Sequence, residues 1–232
     1  MTTAAVVRVN EVYRSIQGES TYAGMPCVFI RLRGCPLRCR YCDTAYAFHE
    51  GEAETVDDLL VRAQAMVETS RDHFEVTGGE PLAQPGATEL IARLCDTGRP
   101  VLVETSGAVD IDRADRRAVR IMDLKTPGSG ESRRNDWANL DRLTPQDQVK
   151  FVLTDRDDYA WMRAVVREHA LEQKVAAVLA SPVQAVAAGP DVAGCEGLDL
   201  RDLAEWVLAD ALPVRVQVQL HKLVWSPTAR GV

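Results

Sequence analysis

The chain has 232 residues, 46% of them hydrophobic and 26% charged, which is ordinary for one globular domain and excludes wholesale disorder. Its formal net charge of −7 argues against a general nucleic-acid or membrane-surface binder, since either would show a basic face. No apolar run reaches the roughly 18 residues a membrane span needs, and the first residues, MTTAAVVRVNEVYRS, lack the pattern of a secretory signal.

In chain order, VFIRL (28–32) reads as a strand. Thr55 then fits a helix cap, with Asp57 and Asp58 in the first turn and Val56, Leu59, Leu60, Ala63 and Val67 at helical spacing. HFEVT (73–77) reads as a strand that ends on Gly78 and Gly79, and a helix fits about 86–97. Further strands are predicted at 101–105, 119–124, 149–153 and 175–180. Helices are predicted at 155–169, opened by Asp155, and at 199–211, with Leu200, Leu203, Ala204, Val207 and Leu208 on one stripe. The polar stretch 126–147 reads as a mobile loop or a short helix within the domain. Val214, Val216, Val218 and Leu220 alternate with Arg215, Gln217, Gln219 and His221, the pattern of a last strand with one polar face. Repeated βα units require a parallel sheet with right-handed crossovers. About six units fit, so the expected fold is an α/β partial barrel of one domain, 1–232, short of the eight-unit barrel of about 250 residues.

The six cysteines are uneven: Cys35, Cys39 and Cys42 cluster in CPLRCRYC after a strand, while Cys27, Cys95 and Cys195 are scattered. That is no disulfide framework, and it points to a reducing cytoplasm. Three thiolates on one loop can hold a four-iron cluster with one iron left open. The competing reading is a zinc site completed by Cys27, His49 or Cys95.

The arrangement CxxxCxxC resembles the radical S-adenosylmethionine (SAM) superfamily, whose signature lies on the loop after the first barrel strand. Tyr41 before the third cysteine and TGGEP (77–81) extend the likeness. Within the superfamily the chain is similar to the 7-carboxy-7-deazaguanine synthases, through YRSIQGES, FIRLRGCPLRCRYCDT, VTGGEP, VETSG, MDLKTP, VKFVL and VQLHK in that order. The resemblance implies conversion of 6-carboxy-5,6,7,8-tetrahydropterin to 7-carboxy-7-deazaguanine with loss of ammonia, in queuosine biosynthesis.

It also implies a [4Fe-4S] cluster on Cys35, Cys39 and Cys42, SAM at Tyr41, Gly79, Asp123, Leu124, Lys125, Ser181, Pro182 and Val183, and Mg2+ at Thr44. The substrate would meet Ile16, Gln17, Gly18, Arg31, Thr77, His221 and Pro227, with the Arg31 fork taking its carboxylate. A homodimer and a reducing partner such as flavodoxin or ferredoxin are implied in the same way. Two departures stand out: the chain runs on through WSPTARGV after the HK pair, and 181–197 aligns poorly. A glycyl-radical-enzyme activase shares the cysteine spacing, but would have no need of Gln17, Thr44 or HK.

Overall fold

A computed structural model describes residues 4–226 and 228–232. Its centre is an open nine-stranded sheet in the order β3-β1-β2-β4-β5-β6-β7-β8-β9. The chain enters through a long strand, β1 (Val6–Ile16), which pairs antiparallel with β2 (Pro26–Leu32) and with the short β3 (Glu52–Thr55). From β2 onward every neighbour is parallel: β4 (His73–Gly78), β5 (Val101–Thr105), β6 (Val119–Asp123), β7 (Gln148–Leu153), β8 (Ala177–Pro182) and β9 (Arg215–Val216). The expected partial barrel is therefore present as an open sheet that is parallel from β2 to β9.

The crossover helices cover one face. α1 (Val56–Ala65) starts where Thr55 accepts a hydrogen bond from the Asp58 amide, and it buries Val56, Leu59, Leu60 and Ala63. α2 (Pro85–Cys95) buries Leu90, Ile91 and Leu94. α3 (Arg156–His169) is capped by Asp155 and buries Tyr159, Met162, Val165 and Val166. A single turn, α4 (Leu171–Lys174), leads into β8, and α5 (Leu200–Ala209) is capped by Asp199. Caps of this kind contribute about 1 kcal/mol each. These helices pack on outward residues of the strands such as Val28, Ile30, Leu32, Phe74, Val76, Val149 and Phe151, which form the main core. The alternate strand residues face inward, and many of those are polar or charged.

Four expectations need correction. β1 and β3 add an antiparallel edge that the βα reading omits. The predicted last strand over 214–220 pairs only at Arg215 and Val216, because no further strand flanks it. The chain then turns into a short helix, α6 (Leu220–Val224), so His221 sits on a helix. Within α5, Leu203 and Val207 are buried, but Leu200 and Leu208 face solvent. The stretch 126–147 contains three 3-10 turns, Pro127–Ser129, Ser132–Arg134 and Trp137–Asp141.

Candidate active site

Parallel strands deliver their C-terminal ends to one rim, and the residues singled out by the sequence gather there. β2 runs through Arg33 and Gly34 into the cysteine loop. That loop is pinned from outside: the Arg40 amide donates to Ser129 O (2.9 Å) and the Arg38 amide to Glu131 Oε1 (2.7 Å). Leu37, Cys39, Tyr41 and Val183 form a small buried apolar cluster, with Cys35, Cys42, Val152, Val186 and Cys195 against it. Burial pushes all three thiols upward, Cys42 to about 12, while the Lys125 ammonium works in the opposite direction.

The free chain thus holds neutral thiols, which deprotonate as iron binds. Cys35 Sγ already accepts the Leu37 amide at 3.4 Å, a contact that suits a thiolate. Among the described residues no group of three His, Cys, Asp or Glu side chains converges on a single-ion position. A four-iron cluster makes no such demand, because each thiolate holds a different iron. Cys27 lies on β2 and Cys95 at the end of α2, away from the loop, and His49 is exposed and pairs with Asp191.

The turn after β4 presses against this loop. A Cβ on Gly79 would lie 2.3 Å from Gly34 O and 2.6 Å from Cys35 Cβ, so no side chain fits without moving backbone. Gly78 has φ +148, and a Cβ there would come within 2.1 Å of Leu32 O. Glu80, which the sequence reading passed over, is fully buried and ties the turn to the next strand. Its carboxylate accepts from the Leu82 amide (3.0 Å), Thr105 Oγ1 (3.0 Å), the Ser106 amide (2.7 Å) and Ser106 Oγ (2.6 Å).

Farther along the rim, Asp123 Oδ2 accepts from Lys125 Nζ at 2.8 Å, while its buried Oδ1 has no partner. Asn135 clamps the Lys125 backbone at both its amide and its carbonyl. Ser181, at the end of β8, also keeps a buried hydroxyl without a partner. Leu124 is buried, Val183 belongs to the apolar cluster beside Tyr41, and Pro182 ends β8. Buried polar atoms left unpaired cost about 1–3 kcal/mol each, so a polar ligand at this rim has acceptors waiting for it.

The second half of the site lies deeper. Arg31 and Thr77 stand opposite each other in register on β2 and β4. Arg31 Nε donates to Glu11 Oε1 (2.8 Å) and Nη2 to Tyr13 Oη (3.0 Å), leaving Nη1 for another acceptor. Glu11 Oε1 also accepts from Tyr46 Oη at 2.9 Å. At the end of β1, Ile16 leads to Gln17, whose Nε2 donates to Glu75 and whose Oε1 accepts from the Glu19 amide. Gly18 gives way to His221: a Cβ there would fall 2.0 Å from His221 Nδ1, and Gly18 O accepts from the Leu220 amide.

Below these residues Lys150 is surrounded by acids. Its Nζ donates to Glu19 (2.7 Å) and Glu104, with Asp123 at 4.0 Å. Burial, reinforced by Glu104 and Glu19, pushes the Glu75 carboxyl well above its usual range. Burial opposes the charge of Glu104, but Lys150 outweighs it and keeps Glu104 ionised. The sequence reading missed Glu19, Glu75, Glu104 and Lys150. For Glu75, Glu104 and Lys150 the signal was charge at inward strand positions, invisible until the sheet's two faces are known; Glu19 lies in the turn after β1.

Thr44 Oγ1 donates to Asp43 Oδ1 at 2.9 Å. Burial works against the Asp43 carboxylate, but Lys222 Nζ at 2.5 Å holds its pKa well below the usual range. Pro227 lies outside the described residues. Near it the chain end folds back: the Arg230 guanidinium stacks 3.6 Å from the Tyr46 ring centroid and pairs with Glu50 at 2.9 Å.

Comparison with known proteins matches residues 29–125 to the radical SAM superfamily. The 7-carboxy-7-deazaguanine synthase of Koribacter versatilis is 42% identical over 97% of this chain and all of its own length. That of Chlorobaculum tepidum is 42% identical over the whole of both chains. Among solved structures, QueE from Escherichia coli superposes with a TM-score of 0.68 at 20% identity, covering 93% of this chain and 95% of that one. Streptococcus suis SuiB bound to S-adenosylmethionine gives 0.59 at 13% identity, covering 80% and 47%, so these two show likeness of fold alone.

Proposed function

The chain belongs to the 7-carboxy-7-deazaguanine synthase family of the radical SAM superfamily, and from that membership we propose how its own residues turn 6-carboxy-5,6,7,8-tetrahydropterin into 7-carboxy-7-deazaguanine. The product is the substrate less one ammonia, so a nitrogen leaves the contracting ring while the carboxylate stays. Cys35, Cys39 and Cys42 hold a [4Fe-4S] cluster and leave one iron for SAM. When bound and reduced, cluster and SAM together supply the hydrogen-abstracting radical that starts the rearrangement.

The protein's part is to bind, orient and shield. Tyr41, Gly79, Asp123–Lys125 and Ser181–Val183 would receive SAM, for whose polar groups Asp123 Oδ1 and Ser181 Oγ stand unpaired. Arg31 takes the substrate carboxylate through Nη1, held at the required angle by Glu11 and Tyr13. Thr77 faces it, and Ile16, Gln17, Gly18, His221 and Pro227 complete the pterin site. Thr44 offers a hydroxyl to Mg2+. A hydroxyl is a weak hard ligand, so Thr44 would hold such an ion only together with substrate oxygens and waters. Flavodoxin or ferredoxin supplies the electron, and the working form is a cytoplasmic homodimer.

What supports this reading above all is that the C-terminal halves of the parallel strands carry both the unpaired Asp123 Oδ1 and Ser181 Oγ and the registered pair Arg31 and Thr77. The test is anaerobic turnover of the reduced, cluster-loaded protein with SAM and the carboxytetrahydropterin. Equimolar ammonia and 7-carboxy-7-deazaguanine are expected, and an unchanged pterin overturns the reading. Chelation followed by magnesium titration, with Thr44→Val alongside, tests the metal; superimposed titrations remove Thr44 from it.

A further inference from the structure

The inward face of the sheet carries more acid than base. Arg31 is matched by Glu11 and Lys125 by Asp123, which leaves the Lys150 ammonium alone among Glu19, Glu75 and Glu104. Glu75 is 2% exposed. Its Oε2 accepts from Gln17 Nε2, and among the described residues no donor reaches its Oε1 and no cation pairs with it. Glu19 Oε1 is likewise buried without a partner. A buried carboxyl with an open oxygen and no cation of its own carries a cost that N–H donors relieve.

The place of Glu75 in the sheet narrows which donors those are. It precedes Thr77 by two residues on β4, so it lies on the same inward face, about 7 Å closer to the strand start. Thr77 is in register with Arg31, the proposed carboxylate ligand. Glu75 itself is in register with Phe29, and Phe29 with Tyr13, their two rings stacked at 5.0 Å and 12°. A guanidinium at one level and an open carboxyl one level deeper, beside an aromatic pair, suit a flat two-ring molecule. Such a molecule would carry a carboxylate at one end and N–H donors at the other. In the carboxytetrahydropterin those donors are N3–H and the 2-amino group, which present two parallel N–H bonds to the oxygens of one carboxylate.

We propose that Glu75 determines specificity for the amino end of the ring, accepting from N3–H and the 2-amino group while Arg31 holds the carboxylate. The inference rests on the pterin site proposed above. A ring of the same size with a 2-oxo group presents lone pairs where the pterin presents N–H bonds, so the carboxylate of Glu75 rejects it. Glutamine offers one acceptor and one donor, and therefore matches the 2-oxo ring instead.

The test titrates cluster-loaded wild type and Glu75→Gln anaerobically in the presence of SAM. Each protein meets 6-carboxy-5,6,7,8-tetrahydropterin and its 2-oxo counterpart, 6-carboxytetrahydrolumazine. Wild type should bind the pterin at least about ten-fold more tightly than the lumazine, and Glu75→Gln should erase or reverse that ratio. In turnover, the KM of the variant for the pterin should rise more than its kcat falls. SAM affinity should be equal in the two proteins, which a general structural defect would not allow. If glutamine disturbs the fold, Glu75→Asp carries the test: it retains the carboxylate on a shorter arm, so the preference for the pterin should persist while its affinity falls.

Equal wild-type affinity for the two rings, a ratio unchanged by Glu75→Gln, or undiminished pterin affinity in Glu75→Asp would overturn the role of Glu75 and leave the pterin reading standing. A wild type that binds neither ring would instead overturn the pterin reading on which it rests.

Discussion

Two buried charge clusters occupy opposite ends of the same sheet, and they are built to different rules. Near the strand starts, Arg120 and Asp147 are both at most 1% exposed in their side chains. Arg120 Nε and Nη2 donate to Asp147 Oδ2, Nη1 donates to Asp112 Oδ1, and Nη2 also donates to Arg142 O. Asp147 takes further bonds from the Arg120 amide and from Thr144. Nothing in that cluster lacks a partner. Toward the strand ends, Lys150 faces Glu19, Glu104 and Asp123, and Glu19 Oε1 and Asp123 Oδ1 are buried without partners. A satisfied buried network stiffens a scaffold; an unsatisfied one stores cost that a ligand can relieve. The same kinds of side chain therefore mark structure at one end of the barrel and function at the other.

The largest effect should come from the functional end. Cys39→Ala removes one of three proposed iron ligands, so iron content and turnover should fall to background. Iron analysis and visible absorbance of anaerobically purified protein measure this, and full iron with full activity would remove Cys39 from the ligand set. Equivalent changes at Cys27 or Cys95 should leave iron unchanged, since neither lies on the loop.

Asp147→Ala probes the other end. It strands a buried guanidinium, which should cost about 3–5 kcal/mol in denaturant unfolding. Turnover per folded molecule should stay near wild type, which separates a scaffold network from a site. A variant as stable as wild type would show that the satisfied cluster contributes nothing net.

Arg31→Lys is a smaller change at the boundary between the two regimes. Lysine keeps the charge but loses the fork that reaches Glu11, Tyr13 and a carboxylate at once. Pterin affinity should drop by about 1 kcal/mol or more, with SAM affinity nearly unchanged, in anaerobic titrations. Equal losses for both ligands would mean a general structural defect, and no loss for the pterin would return Arg31 to the scaffold.

How much of this was legible beforehand follows from where the signals lie along the chain. Local chemistry was readable: Thr55 and Asp155 announce their helices, and CPLRCRYC and TGGEP announce the loops that meet at Gly79 and Cys35. Long-range pairing was not. The alternation from Val214 to Leu220 is a good strand pattern, yet a strand needs a neighbour, and β9 ends where its pairing with β8 ends. The antiparallel edge was hidden because the charged residues of VVRVNEVYRSI blur its alternation. Lys150 lies 131 residues from Glu19 and 46 from Glu104, so each reads alone as a lone charge, Lys150 and Glu104 on strands and Glu19 in a turn. Only the sheet order makes them a cluster.

The subtlest prediction turns on that cluster's protonation. Burial beside Glu104 and Glu19 raises the Glu75 carboxyl well above its unfolded value, so folding takes up a proton there. Such a group stabilises the fold fully below the unfolded pKa of about 4.3, and its contribution is lost as pH rises toward the folded value. Glu75→Gln keeps a neutral side chain with an oxygen that can accept from Gln17 Nε2, but it does not titrate. Denaturant unfolding from pH 5 to pH 8 should therefore show the variant gaining on wild type steadily with pH. Parallel stability curves would mean that Glu75 is ionised in the folded protein, with Lys150 and Arg31 outweighing its burial. In that case the functional end of the barrel would be far better compensated than its unpaired oxygens imply.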